Sequence, residues 1–284
     1  MKAGFEMLCF FDIDGTLVGF GRNELIPSTQ RALATAKGNG HQLLICTGRS
    51  LRQIPAWLKE NKLFDGIVAS AGAHVIYHGA EIYFRAMSPD TVRRSIHLFT
   101  ENEIPYTLQG EKHNYFAKAF AGRLVESLAE KAGVLPEQIE KLFGDYVLTT
   151  DPDGAEIVAA NDAILGMLYE KSPFDHERMR RALGSELNVN PSSFNKPDPY
   201  SGEITQSAIT KAAGIKTLTE HLHVPREETA AFGDGHNDIE MLQFAGIGVA
   251  MGNAPDAVKS AAGLVTDALD SDGLYHAMQK LHLL

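Results

Sequence analysis

Two aspartates one residue apart, Asp12 and Asp14, stand directly after the apolar run 7–11 and just before a Gly15-Thr16 turn. Residues two apart on a strand share a face. Both carboxylates therefore meet solvent together at the carboxyl end of that strand. Two like charges held so close are costly unless a cation or a shared proton offsets them. Gly15 suits a backbone that turns sharply or approaches a ligand closely. The chemistry this pattern can do is metal-assisted phosphoryl transfer.

Three further segments fit the same reaction. In Leu44-Ile45-Cys46-Thr47-Gly48-Arg49-Ser50 a strand again ends in a small hydroxyl residue and a glycine. Thr47 can donate to a phosphate oxygen, and a helix opening at Ser50 would aim the Gly48 and Arg49 amides at an anion. Lys211 lies near the start of a helix that packs Ile209, Ala212 and Ala213. A positive charge there opposes the helix dipole, so a phosphate or an aspartate should compensate it. In Phe232-Gly233-Asp234-Gly235-His236-Asn237-Asp238 a strand breaks into Gly-Asp, with a second acid at the next helix start. Asp234 stands where a metal ligand at a sheet end is wanted, and Asp238 can cap the helix. A lone His236 among hard carboxylates does not make a zinc site.

The elements that must position these residues alternate at first. Strands are expected at 7–11, 42–46 and 66–70. Helices are expected at 28–37, capped by Ser28, and at 50–61. A hairpin follows through His78-Gly79-Ala80. Single alternation of this kind predicts a parallel sheet with helices on its faces. From about residue 87 the rhythm changes. Helices at 89–102, 123–131, 136–142 and 174–183 are mixed with strands at 106–109, 115–119, 146–149, 163–170 and 186–189, which predicts an α+β module with an antiparallel sheet. Asp151-Pro152-Asp153-Gly154 reads as a loop. After the connection 191–202 the first rhythm returns. Helices are expected at 207–222, 237–244, 255–262 and 271–281, and strands at 229–232 and 247–250. The fold class is thus α/β: a Rossmann-like core from residues 1–86 and 190–284, interrupted by an inserted α+β cap at 87–189. All four motifs fall at carboxyl ends of predicted parallel strands or on the helices that follow, where open α/β sheets place ligands.

Composition narrows the partners. The chain has 284 residues, 26 Lys/Arg and 36 Asp/Glu, for a formal charge of −10. The insertion alone carries eleven Lys/Arg against seventeen Asp/Glu. Neither a nucleic-acid binder nor an anionic-membrane binder is expected. No apolar run approaches the ~20 residues of a membrane helix, and the N-terminus shows no signal-peptide pattern. A cytoplasmic protein is expected, with its two cysteines, Cys9 and Cys46, reduced and buried.

Together Asp12-Ile13-Asp14-Gly15-Thr16, Thr47-Gly48-Arg49, Lys211 and Gly233-Asp234 with Asn237-Asp238 resemble, in order, the four motifs of the haloacid dehalogenase superfamily of phosphohydrolases. The tail Gly248-Val249-Ala250-Met251-Gly252-Asn253-Ala254 is similar to its Cof-type branch, which carries a cap between the second and third motifs. The resemblance implies a phosphatase acting on small phosphorylated metabolites, such as sugar phosphates or cofactor precursors. It implies Asp12 as the nucleophile that becomes an aspartyl-phosphate and Asp14 as general acid and base. Ile13, through its amide, Thr47, Gly48, Lys211 and Asn237 would hold the phosphoryl oxygens. Asp12, Asp234 and the backbone carbonyl of Asp14 would bind Mg2+, with Asp238 supporting them. The sequence departs from the family at Ser70-Ala71-Gly72-Ala73, where Asn-Gly-Ala is frequent, and at Ala212, where Gly usually follows the lysine.

Two other readings use the same residues. A phosphomutase of similar architecture would need a second phosphate site in the cap and a bisphosphate activator. A non-catalytic relative would show no phosphate release from a broad ester panel. The oligomeric state and the physiological substrate are open at the level of sequence.

Overall fold

The computed structural model describes residues 7–19, 22–143, 146–149, 162–191 and 198–284. The chain divides into two compact units: residues 1–49, 54–84 and 209–284 form the first, and 50–53 with 85–208 the second.

The first unit is built on an eight-stranded sheet. Its early strands are β1 (Leu8–Phe11), β2 (Gln42–Cys46), β3 (Gly66–Ala69), β4 (His74–Tyr77) and β5 (Ala80–Phe84). Its late strands are β12 (Thr229–Gly233), β13 (Ile247–Ala250) and β14 (Leu264–Val265). The order is β14-β13-β12-β1-β2-β3-β4-β5. Pairing is parallel from β14 to β3 and antiparallel through β4 and β5. All four residues of β1 are buried, as a strand covered on both faces must be. Leu8 pairs with Gln42 on one side and Thr229 on the other. The chain thus winds outward in opposite directions from β1, and the crevice beyond the ends of β1 and β12 is a topological switch point. His78 and Gly79, both at positive φ, close the β4–β5 hairpin.

The helices of this unit are α1 (Pro27–Gly38), α2 (Ala56–Lys59), α7 (Lys211–Leu222), α8 (Ile239–Phe244), α9 (Asp256–Ala261) and α10 (Gly273–Lys280). Three differ from expectation. Ser28 does not cap α1: Ile26 is the cap residue and Pro27 the first helical residue, which its fixed φ and missing N–H suit. No helix opens at Ser50. Pro55 disfavours helix for the residue before it, so α2 starts only at Ala56. The amides of Gly48 and Arg49 therefore do not front a helix. The third helix begins at Lys211 rather than 207, with the Thr210 hydroxyl accepting from the Ala213 amide at 3.1 Å.

The second unit contains α3 (Pro89–Glu101), α4 (Ala121–Ala132), α5 (Pro136–Phe143) and α6 (His176–Leu183). Its strands are β6 (Tyr106–Gly110), β7 (Asn114–Ala117), β8 (Tyr146–Thr149), β9 (Ile164–Tyr169), β10 (Leu187–Pro191) and β11 (Gly202–Gln206), in the order β10-β11-β9-β6-β7-β8. Pairing is antiparallel except between β7 and β8, which two intervening helices make parallel. Val92, Ile96 and Phe99 of α3 join the sheet's apolar side chains in one core. Strand β11 was not expected. It pairs with β10 and β9, so the second crossing between units falls at 208/209 rather than 189/190. The loop expected at 151–154 lies outside the described residues.

Candidate active site

The site assembles at the switch point. Phe11 and Phe232 stack beneath it at 4.7 Å, and the Asp12 amide donates to the Phe232 carbonyl at 3.0 Å. That bond holds the end of β1 beside the end of β12. Asp12 is buried. Asp234 follows β12, and Asp238 ends the 3-10 turn His236–Asp238 that also carries the half-buried Asn237.

Lys211 lies fully buried between two carboxylates. Its Nζ donates to Asp12 Oδ1 at 2.6 Å and to Asp238 Oδ1 at 2.5 Å. Burial alone would push this ammonium down, but the two carboxylates outweigh it and hold it above the ordinary lysine range. Asp238 spends its other oxygen on the Asp234 and Gly235 amides, at 2.9 and 2.8 Å. It therefore braces both the lysine and the turn that presents Asp234.

Asp234 Oδ1 accepts from the Thr16 hydroxyl at 2.9 Å and Oδ2 from the Asn253 amide at 3.0 Å. The same Asn253 amide group donates to the Gly15 carbonyl at 3.0 Å, while its oxygen accepts from the Leu269 amide. Gly15 has φ +84, and a Cβ there would fall 2.1 Å from Asp234 Oδ2. Only glycine lets the first loop run this close to the second acid.

Asp14 does not join this cluster through its side chain. Arg49 Nε donates to its Oδ2 at 2.8 Å, and Arg49 Nη2 to its Oδ1 at 2.5 Å. The fork orients a partly exposed carboxylate beside the buried one. Thr47 is buried at the end of β2, its hydroxyl accepting from the Arg49 amide at 3.1 Å, with half-buried Gly48 between them. Ile13 anchors the turn after Asp12, its carbonyl accepting from the Leu17 and Val18 amides.

Oxygens of Asp12, Asp234 and Asp238 lie within 4.8 Å of one another. Burial, then the charge of Asp238, raises Asp12 well above the ordinary carboxylate range, with Lys211 pulling the other way. Burial and the charge of Asp238 also push Asp234 up to about 7. One ammonium thus leaves negative charge unbalanced, on oxygen donors alone. That donor set fits a hard divalent cation such as magnesium.

Of the residues predicted from the sequence, Asp12, Lys211, Asp234 and Asp238 meet directly here, and Asp14, Ile13, Thr47, Gly48 and Asn237 lie on the turns that follow β1, β2 and β12. The side chains of Thr16, Arg49 and Asn253 carry no role in the sequence reading. Their partners are 218, 35 and 19 residues away in the chain, beyond any local spacing. Cys9 and Cys46 are free and buried, and burial pushes the Cys9 thiol up to about 12.

This fold and site define a class, and comparison with known proteins defines the same one. Residues 9–278 match the profile of the haloacid dehalogenase-like hydrolases. The chain belongs to that family and is a phosphatase of it. It is 30% identical to YkrA of Bacillus subtilis over 280 residues, 98% of each chain. It is 26% identical over 272 residues, 94% of each chain, to the 5-amino-6-(5-phospho-D-ribitylamino)uracil phosphatase YitU of the same organism. Among solved structures it resembles the subclass IIB sugar phosphatase BT4131, with TM-score 0.77, 28% identity and coverage of 98% of this chain and 100% of that one. Among the described residues no helix is long and apolar enough to cross a membrane.

Proposed function

We propose that the chain is a magnesium-dependent phosphomonoesterase for a small hydroxylated metabolite, such as a sugar phosphate or a phosphorylated cofactor precursor, acting through an aspartyl-phosphate on Asp12. The observation that carries this reading is the buried Asp12 carboxylate, held by Lys211 at 2.6 Å beside Asp234 and Asp238. The similarity to a ribitylaminouracil phosphatase and to a sugar phosphatase supports the substrate class.

A carboxylate is a modest nucleophile, so alignment and charge neutralisation supply most of the barrier reduction. Asp12 attacks phosphorus while Asp14 gives its proton to the departing alcohol. Both oxygens of Asp14 accept from Arg49 here, so one of those bonds yields when Asp14 carries the proton. In the second half Asp14 takes a proton from water as that water attacks the same phosphorus, and phosphate leaves. Lys211, Thr47, the amides of Ile13 and Gly48, and Asn237 steady the phosphoryl oxygens. Asp12, Asp234 and the Asp14 carbonyl would hold a magnesium ion, with Asp238 bracing them, and the ion would supply neutralisation of charge on the phosphoryl group. The choice among esters would fall to the second unit.

Asp12→Asn tests the assignment. The amide keeps the shape but cannot accept the phosphoryl group, so multiple turnover should vanish while the circular dichroism spectrum stays parental. Sustained turnover, with deamidation excluded by mass spectrometry, would falsify the nucleophile.

A further inference from the structure

The turn after β13 carries one residue, Asn253, that joins three separate segments of the first unit. The turn itself is pinned. The Met251 amide donates to the Gly233 carbonyl at 3.0 Å, and the Gly252 amide to the Asp267 carbonyl at 2.9 Å. A Cβ at Gly252 would fall 2.5 Å from the Ala268 nitrogen, so the turn packs directly on that segment. Asn253 is exposed, yet its amide is engaged at both ends. Its oxygen accepts from the Leu269 amide at 3.1 Å. Its nitrogen donates to the Gly15 carbonyl and to Asp234 Oδ2, each at 3.0 Å. The reversed amide would set an oxygen against a carbonyl and a carboxylate, so the Leu269 contact fixes the donor end toward Asp234. The Thr16 hydroxyl takes the other Asp234 oxygen at 2.9 Å. Both of these donors are neutral, whereas Lys211 is committed to Asp12 and Asp238. Left to itself, the Asp234 carboxylate would turn away from Asp12 and Asp238, whose oxygens lie within 4.8 Å of its own.

We propose that Asn253 is a positioning residue of the cation site: one planar amide sets the spacing between Asp234 and the loop that carries the Asp14 carbonyl, and so selects magnesium by size. The assignment rests on the reading of Asp12, Asp234 and the Asp14 carbonyl as magnesium ligands. Gly15 directly follows Asp14, so the bond to its carbonyl fixes that loop one peptide away from the proposed ligand. Magnesium demands short bonds of about 2.0–2.1 Å in near-octahedral geometry, whereas calcium accepts about 2.3–2.6 Å and looser arrangements. A fixed spacing therefore matters more for the smaller ion. Partners that orient metal ligands are commonly worth about 10–100-fold in affinity. Asn253 bears no charge, so removing it changes the geometry of the site and not its charge. Two divalent ions then differ in their response by size alone.

Calorimetric titration of magnesium and of calcium into the substrate-free full chain, at one pH, tests this. Asn253→Ala removes the amide, and Asn253→Leu removes it while filling a similar space. In both, the magnesium dissociation constant should rise at least about tenfold. The calcium constant should rise no more than about threefold, because longer bonds tolerate displaced ligands. Asn253 is exposed, so both variants should keep the parental circular dichroism spectrum. A general loosening of the fold would weaken both ions alike, and that result would overturn the positioning role. So would an unchanged preference between the two ions, or loss of the fold in both variants. A parent that binds no magnesium would strike the metal-dependent reading itself, and this role with it. The variant results bear on Asn253 alone.

Discussion

At the scale of single residues, charge balance governs this site. Three carboxylates stand around one buried ammonium, and burial, with the charge of Asp238 added, pushes Asp234 up to about 7. A raised acid pKa means the folded protein holds a proton that the unfolded chain has already released. Stability of the metal-free protein should therefore fall as pH rises from about 4 to about 7. A divalent cation must displace that proton. Magnesium affinity should rise about tenfold between pH 6 and pH 8, and Asp234→Asn should bind weakly at both. Magnesium titrations followed by calorimetry would check this. Equal affinity at the two pH values would mean Asp234 is already ionised without metal. The same charge logic was legible in part. Lys211 near a helix start called for a compensating phosphate or aspartate, and the structure supplies Asp12 and Asp238. Arg49 was visible only as part of a turn, because nothing in its neighbourhood points to Asp14.

At the scale of elements, the site depends on where strands stop. β1, β2 and β12 each end in a short loop, and those loops must approach within van der Waals contact. Gly15 makes the tightest approach, so Gly15→Ala must both adopt a positive φ and push Asp234 aside. The backbone strain costs about 1–3 kcal/mol. The displacement should lower kcat/KM at least about a hundredfold, as a misplacement of about 1 Å does. Thermal melting and steady-state kinetics would separate the two effects, and parental kinetics would refute the close approach. The strand-and-motif skeleton was readable because buried parallel strands are short apolar runs and the acids follow them directly. Element starts were less so. Pro55 cut the helix predicted from Ser50, and α7, capped by Thr210, starts at Lys211 rather than at 207. Strand β11 offers only Ile204 as a buried aliphatic in Gly-Glu-Ile-Thr-Gln, and its partners are distant in sequence. Such a strand is set by pairing rather than by local pattern.

At the scale of the whole molecule, the division into two units suggests a division of labour. The first unit carries every residue of the proposed chemistry, and the second carries none. Discrimination between esters is then assigned to the second unit, which would contact leaving groups and exclude water. Replacing residues 85–208 with a short linker should leave a folded core that cleaves p-nitrophenyl phosphate but no longer ranks natural esters as the parent does. Removing only 87–189 should behave worse. It leaves β11 without β9 and β10 and exposes Ile204, so aggregation is expected. A folded core keeping the parent's full substrate ranking would move specificity into the first unit, to loops such as 18–26.

The central claim is that an enzyme carboxylate takes the phosphoryl group before water does. The stereochemistry at phosphorus tests it most directly, because it does not depend on the intermediate accumulating. A thiophosphate ester made chiral with two oxygen isotopes, hydrolysed in water of the third so that the thiophosphate released is chiral, should be transferred through two in-line displacements, one at Asp12 and one by water. Net retention of configuration is the predicted result. Net inversion would mean that water attacks the ester directly, and Asp12 would have no role as nucleophile.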